Sequence, residues 1–436
     1  LDATPSHSYL EYLYRYPQRL FPYEQLVAGG RSRGIEGGEF ELADTGAFDD
    51  GRFFDVRVAY AKAAPDDLAI EIRVANRGPE AAVCHVLPTL WFRNTWSWGY
   101  PDGPMGDVAG RPVMSRESDP SLIGGVVRAE HPALGTYRLF ADGCDRLVFT
   151  QNETNTQRLG DGPNSSPYSK DAFHRFLVDG ETEAVNPAES GTKAAALYRL
   201  ALEPGEETTL RLRLTAGDPG SPFADFDDVF SARRVEADEF YESVQSNGMS
   251  AAERHVQRAA LAGMIWSKQL YYFDVEQWLD GDPIGPNLGD SRRQGRNRDW
   301  RHLNNFDIIS MPDAWEYPWF AAWDLAFHCV TLARIDPTFA KRQLELLTRE
   351  WYMHPNGQLP AYEWEFGDVN PPVHAWAARR VYEIDAAARG AGDIEFLERV
   401  FHKLLLNFTW WVNRKDVDGN NVFEGGFLGL DNVSLF

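Results

Sequence analysis

Residues 315–327 read WEYPWFAAWDLAF, which sets three tryptophans, Tyr317, Phe320 and Phe327 beside Glu316 and Asp324. Flat aromatic faces stack on the apolar faces of sugar rings, and carboxylates accept hydroxyl hydrogens or do acid–base work. A buried aromatic core edged by two surface acids has the same composition, so this stretch alone leaves both readings open. The pattern returns downstream. Residues 359–376, LPAYEWEFGDVNPPVHAW, mix Tyr362, Trp364 and Trp376 with Glu363, Glu365 and Asp368. Residues 408–432, FTWWVNRKDVDGNNVFEGGFLGLDN, repeat the mixture. Each cluster adjoins an amphipathic helical stretch, as loops at one mouth of a helical barrel would.

The elements that must carry these clusters are helical. Residues 226–244 are rich in Glu and Arg and read as a charged bridging helix. Ser250, with Glu253 three residues on, is a capping box in which each side chain satisfies the other's free backbone amide. The helix it opens carries Val256, Ala260, Met264 and Ser267 at helical spacing and is expected to run to about residue 272. A Gly-, Pro- and Arg-rich loop is expected over 280–298, then helices over 320–335, 338–351, 373–389 and 394–411.

The first half has a different period. Phe54, Val56, Val58 and Tyr60 alternate with polar or small residues, as do Leu68, Ile70, Ile72 and Val74. A period of two puts one face on a core and the other in water. Ala64-Pro65-Asp66-Asp67 supplies turn chemistry between the two runs, so they are expected to form a hairpin. The same signal recurs over 137–140, 146–150, 197–202 and 209–214, the last pair separated by Glu203-Pro204-Gly205-Glu206. Short strands with regular turn punctuation predict an antiparallel β-sandwich. The expected organisation is a sandwich over 1–225, a helical linker over 226–249, and the first part of an (α/α)6 barrel over 250–436. Within the sandwich, residues 90–99, LWFRNTWSWG, read as a core strand running into a loop, with a loop reaching a neighbouring sugar site as the alternative.

Composition bounds the function. At 436 residues the chain is long enough for two domains. Its 43% hydrophobic and 25% charged content is that of a soluble globular protein. A net charge of −22 argues against nucleic acid or anionic membrane as partners, since both need a basic face. No apolar run approaches the ~18 residues of a membrane span. No signal peptide is visible, although the native start is expected upstream of Leu1. Cys84, Cys144 and Cys329 are few and widely spaced, which fits a reducing cytoplasm better than a disulfide framework. Asp416-x-Asp418-Gly419-Asn420, with Glu424 beyond, resembles the alternating oxygen ligands of a calcium loop. Phe427 stands where the twelfth-position glutamate belongs, so a polar turn is expected and no cofactor is assigned.

The order of sandwich, linker helix, YPWFAAWDLAF (317–327), DVNPPVHAW (368–376) and FLGLDN (427–432) resembles bacterial members of glycoside hydrolase family 63. These include α-glucosidase-like enzymes and lie near the mannosylglycerate and glucosylglycerate hydrolases. EYLYRYPQ (11–18), LPTLWFRNTWSWG (87–99) and NETN (152–155) extend the resemblance over nearly the whole chain. It implies an N-terminal sandwich, an (α/α)6 catalytic barrel, and hydrolysis of an α-glycosidic bond with inversion.

It also implies roles. Inversion needs two carboxyls about 6.5–9.5 Å apart, with a water between the base and the anomeric carbon. The family's general acid is the aspartate of a Gly-containing turn, which here is Leu428-Gly429-Leu430-Asp431, making Asp431 the expected acid. The turn departs from the family's pattern at Phe427, where a glutamate is often found. Trp323-Asp324 matches the family's Trp-Asp pair, in which the aspartate holds sugar hydroxyls and the tryptophan walls the subsite. Asp324 is also the rival for the acid's role, and a plain helix N-terminal carboxylate is the structural alternative. Asn370-Pro371-Pro372 resembles the family's Gln-Pro-Pro, whose amide contacts sugar, although Asn is shorter. Tyr317, Trp319, Trp364 and Trp376 are the expected stacking residues. The family's base is a glutamate far downstream, so none is assigned here and a longer polypeptide is expected to supply it. The other classes that fit are a sugar phosphorylase, with phosphate in place of the base, and a non-catalytic glycan-binding protein.

Overall fold

A computed structural model describes residues 1–34, 37–101, 110–119, 122–285, 289–295, 298–311, 313, 320–362, 366 and 369–423. The chain divides into two compact units, one of His7–Ala237 and one of Leu1–Ser6 with Asp238–Phe436.

The first unit is built from antiparallel sheets. In the larger, Tyr9–Pro17, Phe53–Ala64, Asp67–Asn76, Glu207–Thr215, Gly135–Asp142, Gly124–His131, Val113–Glu117 and Ser190–Gly191 lie side by side in that order. In the smaller, Lys193–Leu202 runs between Arg146–Thr150 and Ala82–Val86 and also pairs with Thr89–Trp91. The alternating residues of the 53–76 hairpin do what their period requires. Phe54, Val58, Ile72 and Val74 enter a shared core with Leu147, Phe149, Ala194 and Tyr198 of the smaller sheet. Packing two inner faces together in this way is the sandwich solution to sheets with one apolar side.

Arg213 fastens the hairpin turn. Its guanidinium, in a side chain almost wholly buried, lies 2.5 Å from both Asp67 Oδ2 and Asp225 Oδ1. The segment expected as a core strand is corrected at one end. Trp91 is 56% exposed at the sheet edge, and the chain then turns through the short 3-10 helix Trp96–Trp98. The Phe226–Val244 helix starts in this unit, where Phe226, Phe230 and Ala237 cover Tyr9, Ala59, Ala61 and Ala69.

The second unit is mainly helical. The capping box at Ser250 is present: Ser250 Oγ accepts from Glu253 N at 3.3 Å, and Glu253 Oε2 accepts from Ser250 N at 2.7 Å. The helix it opens, Ala251–Trp266, stops earlier than its spacing predicts. Lys268–Asp274 is instead a strand, paired antiparallel with Asn304–Ser310. Aromatic residues fit a pleated surface, and Tyr272 gains a cross-strand partner in Phe306, ring centroids 5.5 Å apart. The expected 280–298 loop contains a short helix, Gly289–Arg293.

Four helices follow, Ala322–Leu332, Pro337–Leu347, Val373–Arg389 and Ile394–Arg414. Asp336 caps the second, accepting from Phe339 N at 3.0 Å, with Pro337 in the first turn where no amide hydrogen is needed. Its other oxygen takes Lys268 Nζ at 2.9 Å, which joins the strand pair to the helices. Leu325, Ala326, Cys329 and Leu332 of the first helix, Ala340, Leu344 and Leu347 of the second, and Ala377 and Val381 of the third are buried. Lys341 lies 3.0 Å from the buried Asp385 and 2.6 Å from Asp393, which itself caps the fourth helix. Among the described residues no helix is long and apolar enough to cross a membrane.

Candidate functional site

Asp324 sits in the first turn of the Ala322–Leu332 helix. No side chain caps this helix; Ala321 is extended and Ala322 N donates instead to Ala361 O at 2.9 Å. That bond and the Ala321–Tyr362 bridge bring the 359–362 segment to the helix N-terminus. The half-buried Asp324 carboxyl is pushed above its ordinary value, because burial outweighs a hydrogen bond from its own backbone and the charge of His328. A carboxyl so placed is easier to protonate, and the helix N-terminus favours its charged form when it ionises.

On the same helix, Trp323 and Phe327 have ring centroids 6.0 Å apart, and Phe327 stands 5.7 Å from Trp376 on the Val373–Arg389 helix. Phe327 and Trp376 are 44% and 47% exposed, so this aromatic row faces outward from the core and is open to a ligand. Asn370-Pro371-Pro372 leads into the Val373–Arg389 helix, with Pro372 as its N-cap residue. With Trp323, these three residues line a cavity of about 30 Å3 that His374, Asn407 and Trp411 complete. A void of that size holds a water or a single hydroxyl, not a sugar ring.

Two polar side chains of that cavity have fixed roles. His374 is fully buried and meets Leu344 O through Nε2 at 2.8 Å. Burial drives its pKa down to about 4 despite that bond, so the ring is neutral and donates from Nε2. Asn407 Nδ2 donates to Gly357 O at 2.8 Å.

The structure thus brings Trp323, Asn370 and Trp376 together with Asp324 at one set of helix N-terminal ends, although Asp324 does not line the small cavity. Tyr317, Trp319, Trp364 and Asp431 lie outside the described residues. His374 and Asn407 were not expected from sequence, and Phe327 stood in the first aromatic cluster without being named as a site residue. Trp411 carried a signal, since it falls in the third aromatic cluster. A larger void of about 630 Å3 lies between the Val373–Arg389 and Ile394–Arg414 helices. Apart from Arg379 and Glu398 its lining is apolar, so it lacks the convergent polar groups of a sugar site.

Elsewhere, Trp96 Nε1 donates to Glu153 Oε1 at 2.9 Å, and Arg111 Nη2 meets the same oxygen at 2.6 Å. Burial alone would raise the Glu153 carboxyl, but Ser165, Trp96 and Arg111 outweigh it and hold it below the usual carboxylate range. The polar edge of Trp96 is therefore used within its own unit. The Asp416 segment is the expected polar turn: its carboxylate accepts from Asn420 N at 2.9 Å and Asn421 N at 3.0 Å.

Residues 317–426 match the family model of the mannosylglycerate hydrolase MGH1-like glycoside hydrolase domain. Over its full length the chain is 44% identical to an uncharacterized protein of Saccharomyces cerevisiae, and it spans only 43% of that relative. Among solved structures, a polysaccharide lyase shares 13% identity at a TM-score of 0.23, covering 81% of this chain and 56% of its own. A galactose mutarotase related enzyme from Lactobacillus acidophilus shares 10% identity at a TM-score of 0.20, covering 38% of this chain and 62% of its own. Likenesses that distant carry no argument. The family match is to a glycoside hydrolase domain, and the matched segment includes Trp323, Asp324, Asn370 and Trp376.

Proposed function

We propose that the chain belongs to an inverting glycosidase, of the family 63 kind, that cleaves an α-glucosidic or related α-glycosidic bond. The observation that carries this reading is the glycoside hydrolase match over 317–426, the segment in which Asp324 stands beside the Trp323–Phe327–Trp376 row. In this reading the aromatic row, with Tyr317, Trp319 and Trp364, stacks on the sugar, and Asp324 and Asn370 hold its hydroxyls. Asp431, which lies beyond the end of the match, is the proposed general acid, and the domain plan is sandwich 1–225, linker 226–249 and barrel from 250. The general base is left unassigned. Three free cysteines support a cytoplasmic setting.

Inversion requires a protonated acid on one side of the anomeric carbon and a water-activating carboxylate on the other. The test is turnover of a panel of α-glucosides and α-mannosides by the complete polypeptide, as wild type, Asp431→Asn and Asp324→Asn, with methyl α-glucoside binding measured alongside. Asp431→Asn should lose about 10³-fold in turnover while binding survives. Asp324→Asn should lose binding. Full turnover in Asp431→Asn overturns its role, and sugar 1-phosphate formed only in the presence of phosphate replaces hydrolysis with phosphorolysis.

A further inference from the structure

One turn beyond Asp324, His328 is held by a hydrogen-bond chain whose direction can be read from end to end. Ser267 Oγ donates to Met264 O at 2.7 Å. A hydroxyl has one hydrogen to give, so in its 2.8 Å contact with Ser310 Oγ the Ser267 oxygen is the acceptor. The Ser310 hydrogen is thereby committed, and Ser310 Oγ must accept from His328 Nδ1, 2.9 Å away. The relay is rigid. Ser310 is 1% exposed, its backbone N donates to Gln343 Oε1 at 3.2 Å, and Gln343 Nε2 donates to Ile308 O at 2.9 Å.

A neutral imidazole with its hydrogen on Nδ1 has a bare lone pair on Nε2. Burial favours that neutral form, pushing His328 below its ordinary value against the opposing charge of Asp324. Among the described residues, neither His328 Nε2 nor the Asp324 carboxylate has a side-chain hydrogen-bond or ion-pair partner. Both residues are half-buried, and their i, i+4 spacing puts them on one face of the helix. Two acceptors with no donor between them suit a ligand that brings its own donors, and adjacent sugar hydroxyls do so.

We propose that His328 is a further glycone-binding residue, fixed by the Ser310–Ser267–Met264 relay as the Nδ1–H tautomer so that Nε2 accepts a sugar hydroxyl beside Asp324. The choice of a sugar as ligand rests on the glycosidase reading; the tautomer does not.

The experiment is a long-range 1H–15N correlation spectrum of the histidine-labelled chain at pH 7.5, followed by titration with methyl α-glucoside. The His328 signals are identified by their absence from His328→Asn. The expected spectrum has a protonated Nδ1 and a bare Nε2, and the Nε2 signal moves on adding the sugar. His328→Asn keeps an amide within reach of Ser310 but has nothing at Nε2, and should bind about five- to tenfold more weakly at an unchanged melting temperature. Should that variant fail to fold, Ser310→Ala serves, since it frees the ring and should populate the Nε2–H form. An Nε2–H tautomer in wild type, an unaltered tautomer in Ser310→Ala, or unchanged affinity in folded His328→Asn each overturns the proposal. If affinity is unchanged while wild type still turns over an α-glycoside, this proposal alone fails. A complete polypeptide that neither binds nor turns over α-glycosides defeats both readings.

Discussion

Phe327 is what makes one surface of Trp323 and Trp376. The two tryptophans lie far apart in sequence, and each meets the phenylalanine ring at about the same separation, 6.0 and 5.7 Å. Because Trp376 is 47% exposed, little of the fold depends on it. Trp376→Ala should therefore weaken methyl α-glucoside binding about tenfold, one stacking contact's worth, with a melting temperature within about 1 °C of wild type. Calorimetric titration and a thermal melt on the same sample check both parts; a large drop in melting temperature with intact binding would return Trp376 to the core. The Trp323-Asp324 pair and the Asn370 turn were legible in the sequence, because aromatic and acidic residues crowd together along the chain there. Phe327 stood in the same cluster, but that it joins Trp323 to Trp376 depends on helix packing. His328 was not legible, because the relay that orients it needs Ser310 and Ser267, brought near only by strand pairing and helix packing.

The Val373–Arg389 helix is anchored beside the site by a histidine that must stay uncharged. In the folded chain His374 has a pKa of about 4, against an ordinary 6.5, with burial the dominant cause. The unfolded chain therefore takes up the proton first as pH falls. This contribution is complete above pH 6.5 and is lost progressively between 6.5 and 4, reaching about 3 kcal/mol at the acid end. Denaturation midpoints measured across that window should fall steeply for wild type and less steeply for His374→Gln, which keeps a donor for Leu344 O but does not titrate. Equal slopes would show that other groups govern the acid limb. Elements were the most readable scale of this chain where a single period dominates: the 53–76 hairpin, the Ser250 capping box and the Val373–Arg389 helix all appear where residue spacing puts them. Spacing failed at Lys268–Asp274, where the apolar positions continue a helical pattern and only a partner strand 30 residues or more away makes the segment extended.

The whole molecule joins a β-rich unit to a helical one, and the change from a two-residue to a helical period along the chain anticipates that mixture of classes, although the units divide at residue 237 and Leu1–Ser6 goes with the helical one. Its acidity is equally legible, at −22 overall. The outer face of the Ile394–Arg414 helix was not. Phe401, Leu405, Leu406 and Phe408 are each half exposed or more, although they are as apolar as the buried Phe396 and Val400. The chain spans 43% of the yeast relative it matches, so the activity proposed here belongs to the polypeptide as a whole. The measurement that tests it most directly is time-resolved 1H NMR of the protein mixed with α-glycosides, followed before the released sugar mutarotates. Inverting hydrolysis predicts the β-anomer first, formed without added phosphate. Release of the α-anomer first, or no hydrolysis of any α-glycoside offered, would contradict the account.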